Sequence, residues 1–191
     1  RDHYEGRLAY ALKTMDFEEE AKGPEGVSGA WYPVTNGRNT VYALEPAAPR
    51  HSGHSQKIRL FSDDQCYAGI AQRTAVKGNV GYRLKVFARA SIEIKQATVE
   101  IVDALSREVL CSHTFEIESH DWREYSAWLV PSRSCSDAEF RIFISSEGAE
   151  WSDSVATGMI WLDHVSLLSE ERVGVVDKTV FEMARELRSE E

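Results

Sequence analysis

Between Lys57 and Leu167, the sequence consists of short segments in which apolar and polar residues alternate. A period of two places the apolar residues on one face of a β-strand, and the segments are rich in Val, Ile, Tyr, Phe and Trp, which favour strands. Eight strands are predicted, at Gln56–Phe61, Ala68–Ala75, Gly81–Ala90, Ala97–Asp103, Val109–Ile117, Arg123–Pro131, Glu139–Ser146 and Gly158–Leu167. Short strands at this spacing, separated by turn residues, are typical of an antiparallel sandwich or jelly roll. We therefore predict an all-β fold, a β-sandwich jelly roll.

The two ends of the chain have a helical period instead. Apolar residues recur at intervals of three or four residues from Tyr4 to Met15, and again from Val176 to Leu187. We therefore expect short terminal helices on the jelly roll. The expected domain organisation is a flanking helical segment at 1–15, the jelly roll at 16–168, and a C-terminal linker and helix at 169–191.

The stretch 22–49 contains four of the five prolines, which interrupt strands and helices. It predicts long loops around one or two short strands. Aromatic residues there and at the strand edges are the best candidates for a ligand site, because a flat ring stacks on the apolar face of a pyranose. These residues are Trp31, Tyr32, Tyr67 and Trp151. The other three tryptophans lie in or beside predicted strands, where core packing is the expected role.

The charge of the chain argues against two classes of partner. Lys and Arg number 22 against 31 Asp and Glu, which gives a formal net charge of −9. An acidic surface repels nucleic acid and anionic membranes. No apolar stretch approaches the roughly 18 to 20 residues that span a bilayer. We therefore expect neither nucleic acid nor membrane as a partner.

The sequence lacks the common catalytic and phosphate-binding motifs GxSxG, HExxH, GxGxxG and the Walker loop. Glu100 and Glu116 could form a glycosidase carboxylate pair, but solvent-facing strand positions explain them better. Glu18 begins a run of three glutamates that could supply oxygen ligands to calcium, although such runs are more often solvated. The three cysteines have no CxxC spacing, so they are interpreted as free structural thiols, with one disulfide as the alternative.

Short motifs follow one another in a fixed order over about residues 16 to 168. The motifs are Asp16-Phe17-Glu18, Gly29-Ala30-Trp31, Gly53-His54-Ser55, Gly69-Ile70-Ala71-Gln72, Gly81-Tyr82-Arg83-Leu84, Trp122-Arg123-Glu124-Tyr125 and Ile160 to Leu167. Together they resemble the β-jelly-roll carbohydrate-binding modules of the family 4, 9 and 22 type, which have a galactose-binding-domain-like fold. The flanking segments look like those around such a module in family 51 glycoside hydrolases, the α-L-arabinofuranosidases.

The resemblance implies several site residues. In such modules the glutamate of the Phe-Glu motif and the aspartate of the last strand commonly hold a structural calcium, and Glu18 and Asp163 occupy those positions. Family 22 modules carry a stacking tryptophan two residues before a glycine, where this chain has Tyr67. Gln72 and Arg89 occupy positions at which family members often place polar contacts to sugar.

The resemblance also implies a function. We expect a non-catalytic carbohydrate-binding module that targets an appended glycoside hydrolase to plant cell-wall polysaccharide, xylan or arabinoxylan first and β-glucan second. The alternative is a structural accessory module that packs on the catalytic domain and binds no sugar. The expected partners are a polysaccharide or oligosaccharide and the catalytic domain, the expected state is a monomer, and the expected location is secreted or extracellular.

Overall fold

The computed structural model of the chain describes residues 12, 17, 26–37, 39–46, 53–61, 66–117, 120–151 and 157–169. It contains ten strands: β1 (Tyr32–Thr35), β2 (Val41–Pro46), β3 (His54–Phe61), β4 (Tyr67–Val76), β5 (Tyr82–Ala90), β6 (Gln96–Asp103), β7 (Val109–Glu116), β8 (Arg123–Leu129), β9 (Cys135–Ser145) and β10 (Thr157–Ser169). The eight predicted strands correspond to β3–β10. The largest difference is at β9, which begins at Cys135 rather than Glu139. β1 and β2 are the short strands expected within 22–49.

The strands form two five-stranded antiparallel sheets. The first sheet has the order β1-β4-β9-β6-β7 and the second has the order β2-β3-β10-β5-β8. Most neighbouring strands are distant in sequence, as the crossed connections of a jelly roll require. The all-β, β-sandwich jelly-roll prediction is therefore confirmed.

The helical content predicted for the ends of the chain falls outside the described residues. The predicted helical segments at 1–15 and 169–191 lie there, apart from Leu12 and Ser169. Within the described part, a single 3-10 turn at Ser146–Gly148 follows β9. That part of the chain contains no helix of the length and apolarity needed to cross a membrane.

The core lies between the two sheets and is built from one face of each strand. In β5, for example, buried residues such as Leu84 and Val86 alternate with residues open to solvent. Aromatic residues close one part of the core, where the Trp31 ring lies 5.7 Å from that of Phe17 and 6.1 Å from that of Phe140. Full burial of a large apolar side chain contributes about 1.5–3 kcal/mol, so the contact between the inner faces dominates the stability of the fold.

β10 contains a bulge that keeps its apolar residues in the core. The pairing with β5 shifts register between Asp163 and Ser166, and His164 adopts a left-handed φ of 46°. One extra residue in a strand changes which face the following side chains occupy. Leu162 before the bulge and Leu167 after it are therefore both fully buried.

The three cysteines, Cys66, Cys111 and Cys135, are free thiols, so the disulfide alternative is not realised. Burial raises the pKa of Cys111 to about 11. Because the thiolate is the reactive form of cysteine, this raised pKa keeps Cys111 in its less reactive thiol form at neutral pH. This agrees with the structural role inferred from the sequence.

β4 and β9 meet closely at Gly69, which pairs with Phe143. A Cβ atom at Gly69 would lie 2.2 Å from the carbonyl oxygen of Ile142 and 2.4 Å from the Cβ of Phe143. Those atoms belong to or adjoin the backbone of β9, so they cannot yield without moving the strand. Glycine is therefore required for this spacing.

Substituting Gly69→Ala should lower the free energy of unfolding by about 1–3 kcal/mol, the usual cost of overpacking. Urea denaturation followed by tryptophan fluorescence measures this change. The matched control is Gly37→Ala, because the atom nearest to its Cβ would be the side-chain hydroxyl of Thr40 at 3.2 Å, which needs to shift only slightly. An unfolding midpoint for Gly69→Ala equal to that of the wild type would contradict the close contact between β4 and β9.

Candidate functional site

Because the core occupies the inner faces, side chains that can reach a ligand lie on the outer faces and in the loops. On the outer face of the first sheet, cross-strand pairing aligns Gly69 of β4, Phe143 of β9 and Thr98 of β6. Tyr67 precedes Gly69 by two residues on the same face, and its ring centroid is 5.6 Å from that of Phe143. Both rings are partly exposed, so they form a ring pair within reach of a ligand.

An ion pair adjoins the two rings. Arg141 donates hydrogen bonds from Nε and Nη2 to Oε2 of Glu100, at 2.8 and 2.5 Å. The guanidinium carbon of Arg141 lies 5.5 Å from the centre of the Phe143 ring. The two charged side chains are only 16% and 15% exposed, so their positions are well defined. We call Tyr67, Phe143, Arg141, Glu100 and Thr98 the aromatic patch.

Tyr32 on β1 extends the polar part of this face. Its hydroxyl donates a 2.8 Å hydrogen bond to Oε2 of Glu139, which is 3% exposed and also lies 3.5 Å from Arg107 Nη1. Burial, and then the hydrogen bond to the carboxylate, raise the pKa of Tyr32 to about 12. Tyr32 is therefore a neutral hydrogen-bond donor across the physiological pH range.

The aromatic patch combines two kinds of group. The rings offer flat apolar surface, and the ion pair and threonine offer donors and acceptors held in place. This combination suits a ligand with an apolar face and a hydroxyl-rich edge, such as a sugar ring.

The six residues predicted from the sequence to contact a ligand do not come together. Tyr67 and Tyr32 lie on the outer face of the first sheet. Trp31 is only 4% exposed and packs in the core, so its ring is not accessible for stacking. Gln72 is also 4% exposed. It lies on the same face of β4 as Ile70, which is the face that packs in the core.

The other two predicted contacts lie elsewhere. Arg89 is on β5, in the second sheet, where it pairs with Trp161 of β10. Trp151 is partly buried against the core beside Gly158, at which a Cβ would lie 3.3 Å from its ring. Neither is part of the aromatic patch.

Of the two predicted calcium ligands, Glu18 lies outside the described residues. Asp163 is 1% exposed in the bulge of β10, and its Oδ1 accepts a 2.8 Å hydrogen bond from the backbone N–H of His164. A buried carboxylate is the type of oxygen ligand that calcium binds. The described residues hold no cluster of three or more His, Cys, Asp or Glu side chains suited to a metal, so calcium binding stays a prediction.

The sequence analysis did not identify Phe143 and Arg141, and it assigned Glu100 to a solvent-facing position. The alternation of β9 does place Glu139, Arg141 and Phe143 on the face opposite to the core. What the sequence does not show is that β9 lies between β4 and β6, which brings these side chains next to Tyr67 and Glu100.

Comparison with known proteins identifies similar folds rather than close relatives. No protein-family model matches the sequence. No curated protein matches it either.

Solved structures do match. One is an arabinose-bound family 51 α-L-arabinofuranosidase, at 19% identity and a TM-score of 0.68, with 86% of this chain and 27% of that chain covered. A second is a Stig cyclase from Fischerella, at 14% identity and a TM-score of 0.62, with 85% and 98% covered. A third is the CBM22-1 xylan-binding domain of Xyn10C from Paenibacillus barcinonensis, at 9% identity and a TM-score of 0.55, with 85% and 95% covered.

Carbohydrate-binding modules of families 4 and 61 are also among the similar structures. At these identities the matches establish the fold, a β-sandwich of the kind found in carbohydrate-binding modules. The chain spans about a quarter of the arabinofuranosidase that it matches.

The raised pKa of Tyr32 predicts a difference in stability at high pH. The folded protein keeps the Tyr32 proton to about pH 12, whereas the unfolded chain releases it near pH 10. The contribution of protonated Tyr32 to the free energy of unfolding is therefore complete below pH 10. It is lost as the pH rises toward 12. The free energy of unfolding of Tyr32→Phe, measured by urea denaturation, should therefore fall less between pH 10 and 12 than that of the wild type. Parallel curves for the two proteins would contradict the Tyr32–Glu139 contact.

Proposed function

We propose that this chain is a non-catalytic carbohydrate-binding module and that the aromatic patch is its sugar site. The observation that carries the proposal is the Tyr67–Phe143 ring pair beside the partly buried Arg141–Glu100 ion pair. One sugar face would stack on the rings while its hydroxyls exchange hydrogen bonds with the charged groups and Thr98. The match to modules whose names state that they bind xylan or contain β-1,4-galactotriose supports this assignment.

The ligand we propose is a neutral plant cell-wall polysaccharide, xylan or arabinoxylan first and mixed-linkage β-glucan second. In the aromatic patch the one cation, Arg141, is neutralised by Glu100. The patch is therefore better suited to hydroxyl groups than to a net charge. Its affinity for the polysaccharide should be modest, because hydrogen bonds between protein and sugar replace hydrogen bonds that both groups already made to water.

The biological role we propose is to hold an appended glycoside hydrolase of family 51 near its substrate, in a secreted or extracellular enzyme. Support comes from the arabinofuranosidase match, in which the similar region is 27% of the enzyme. The chain itself would be a monomer and would not cleave a glycosidic bond.

The second candidate is a structural accessory module that packs on the catalytic domain without binding sugar. Its support is that the matched region is 27% of the arabinofuranosidase, so the larger remainder of such an enzyme could form a surface for packing. The two candidates differ in one measurable property, binding of soluble polysaccharide.

Affinity gel electrophoresis against soluble xylan, arabinoxylan, β-glucan, xyloglucan and mannan tests the sugar site. Retardation by xylan or arabinoxylan is expected, and both Tyr67→Ala and Phe143→Ala should weaken it by about tenfold or more, since each removes the burial of a large ring. Trp128→Ala is the matched control, because Trp128 is 51% exposed on the outer face of the second sheet.

The outcomes separate the candidates. If none of the polymers changes the mobility of the wild type, the structural accessory module becomes the better account. If Trp128→Ala loses binding and Tyr67→Ala keeps it, the sugar site lies elsewhere. Reducing-sugar release by the isolated chain would contradict the non-catalytic assignment.

We also propose that Asp163 and Glu18 hold a structural calcium ion. One carboxylate comes from the beginning of the jelly-roll sequence and the other from its end. A dication between them would offset the repulsion between their charges. The observation that supports this proposal is the burial of the Asp163 carboxylate at the start of the bulge in β10.

If calcium binds the folded state and not the unfolded state, its removal must lower the free energy of unfolding. At a calcium concentration about 100 times Kd, the stabilisation is about 2.7 kcal/mol, so EDTA should lower Tm by several degrees. Asp163→Asn should abolish this dependence on calcium, whereas Asp121→Asn, at an exposed position before β8, should keep it. An equal Tm of the wild type in calcium and in EDTA would refute the site.

A further inference from the structure

The outer face of the second sheet carries an arginine held between two tryptophans. The guanidinium carbon of Arg89 lies 4.2 Å from the centre of the Trp161 ring and 5.5 Å from that of Trp122. Pairing of β5 with β10 places Arg89 directly opposite Trp161. Two cation–π contacts fix the plane of this guanidinium.

The hydrogen-bond donors of Arg89 lack acceptors within the described part of the chain. Its Nε is buried there without a hydrogen-bond partner. By contrast, Arg141 reaches Glu100 through two nitrogens, and Arg133 reaches both Asp103 and Glu108. The terminal nitrogens of Arg89 form no hydrogen bond with a described residue, so they can donate to a ligand that accepts hydrogen bonds.

The ring beside Arg89 is itself fixed by a carboxylate. Trp161 Nε1 donates a 2.7 Å hydrogen bond to Oε2 of Glu45, whose Oε1 is 2.5 Å from Lys57 Nζ. The hydrogen bond from Lys57, then that from Trp161, lowers the pKa of Glu45, so it remains ionised at neutral pH. Glu45 is thus occupied by Lys57 and Trp161 and does not hydrogen-bond to Arg89.

A second arginine on this face, Arg59, also has a buried Nε without a hydrogen-bond partner in the described region. It follows Lys57 by two residues on β3. Neither Arg89 nor Arg59 forms an ion pair with a carboxylate among the described residues, although Glu45 lies close enough to attract Arg89 electrostatically. On a chain with a net charge of −9, these two cations mark a local preference for anions.

We propose that Arg89, positioned by Trp122 and Trp161, binds the carboxylate of a hexuronate residue in an acidic polysaccharide. The terminal nitrogens of a guanidinium present two parallel N–H donors that match the two oxygens of a carboxylate. Arg89 lies over both indole rings and Lys57 lies over that of Trp161. Both rings are nevertheless partly exposed, so their remaining surface can contact the pyranose that carries the carboxylate. These rings favour an acidic sugar over an acidic peptide, which needs only the charge.

This site is separate from the aromatic patch. It lies on the other sheet, so it does not require the proposed function to hold. Arg59 adds a second cation on the same face, which suits a polymer that carries repeated carboxylates.

Affinity gel electrophoresis with polygalacturonate tests the proposal, and the same polymer with its carboxyl groups methyl-esterified is the uncharged reference. The wild type should be retarded by polygalacturonate and not by the ester. Arg89→Gln should weaken the retardation by about tenfold or more, the usual effect of losing hydrogen bonds to a charged group. Arg133→Gln, which removes the same charge from the loop before β9, should leave it unchanged.

Arg89→Lys is the second variant, and it tests the proposal if Arg89→Gln does not fold. It retains the charge over the indole rings but loses the paired donors, so its retardation by polygalacturonate should also fall. Tyr67→Ala should retain polygalacturonate binding even where it loses binding to xylan, so the failure of one site is distinguishable from the failure of the other.

Three results would overturn the proposal. The first is no retardation of the wild type by polygalacturonate. The second is equal retardation of the wild type, Arg89→Gln and Arg89→Lys, which would indicate attraction by charge in general. The third is stronger retardation by poly-L-glutamate than by polygalacturonate, which would indicate an acidic protein partner instead of a glycan.

Discussion

Burial of apolar side chains between the two sheets is the interaction on which the other features depend. A strand can place alternate residues on one face only, and an isolated sheet would leave that face in water. Here each sheet covers the other, with residues such as Leu60, Leu84, Phe140 and Leu162 fully buried between them. Departures from regular strand geometry preserve this contact, as the bulge after Asp163 does by returning the apolar residues of β10 to the core.

Because the core uses one face of each sheet, binding groups are confined to the outer faces and the loops. The central strands have the main role there, since each has a neighbour on both sides. β9 brings Arg141 and Phe143 between β4 and β6, and β10 brings Trp161 between Lys57 of β3 and Arg89 of β5. Each sheet therefore carries one cluster of aromatic and charged side chains, and the clusters differ in charge balance. The arginine of the first forms an ion pair with a carboxylate, whereas Arg89 stacks on two indole rings and interacts with the Glu45 carboxylate only through space.

The fold alone does not decide between possible functions. The same sandwich occurs in part of an arabinofuranosidase, in a Stig cyclase and in a xylan-binding domain, at identities between 9% and 19%. Function in such a fold depends on side chains added to a common framework. The proposed sugar site therefore rests on the Tyr67–Phe143 pair and its neighbouring ion pair rather than on similarity of architecture.

The sequence by itself determined the strands and the class of the fold, because the period-two alternation from Lys57 to Leu167 is a local property. It also named Tyr67, together with Trp31, Tyr32 and Trp151, as an aromatic residue in a loop or at a strand edge. It did not determine which strands are neighbours, since pairing joins residues far apart in the chain, such as Glu100 and Arg141. Only the tertiary structure placed Phe143 beside Tyr67, directed Gln72 and Trp31 into the core, and set Arg89 on the opposite sheet. The physical reason is that alternation divides each strand into two faces, while the packing of the whole molecule decides which face is buried and which side chains meet on the other.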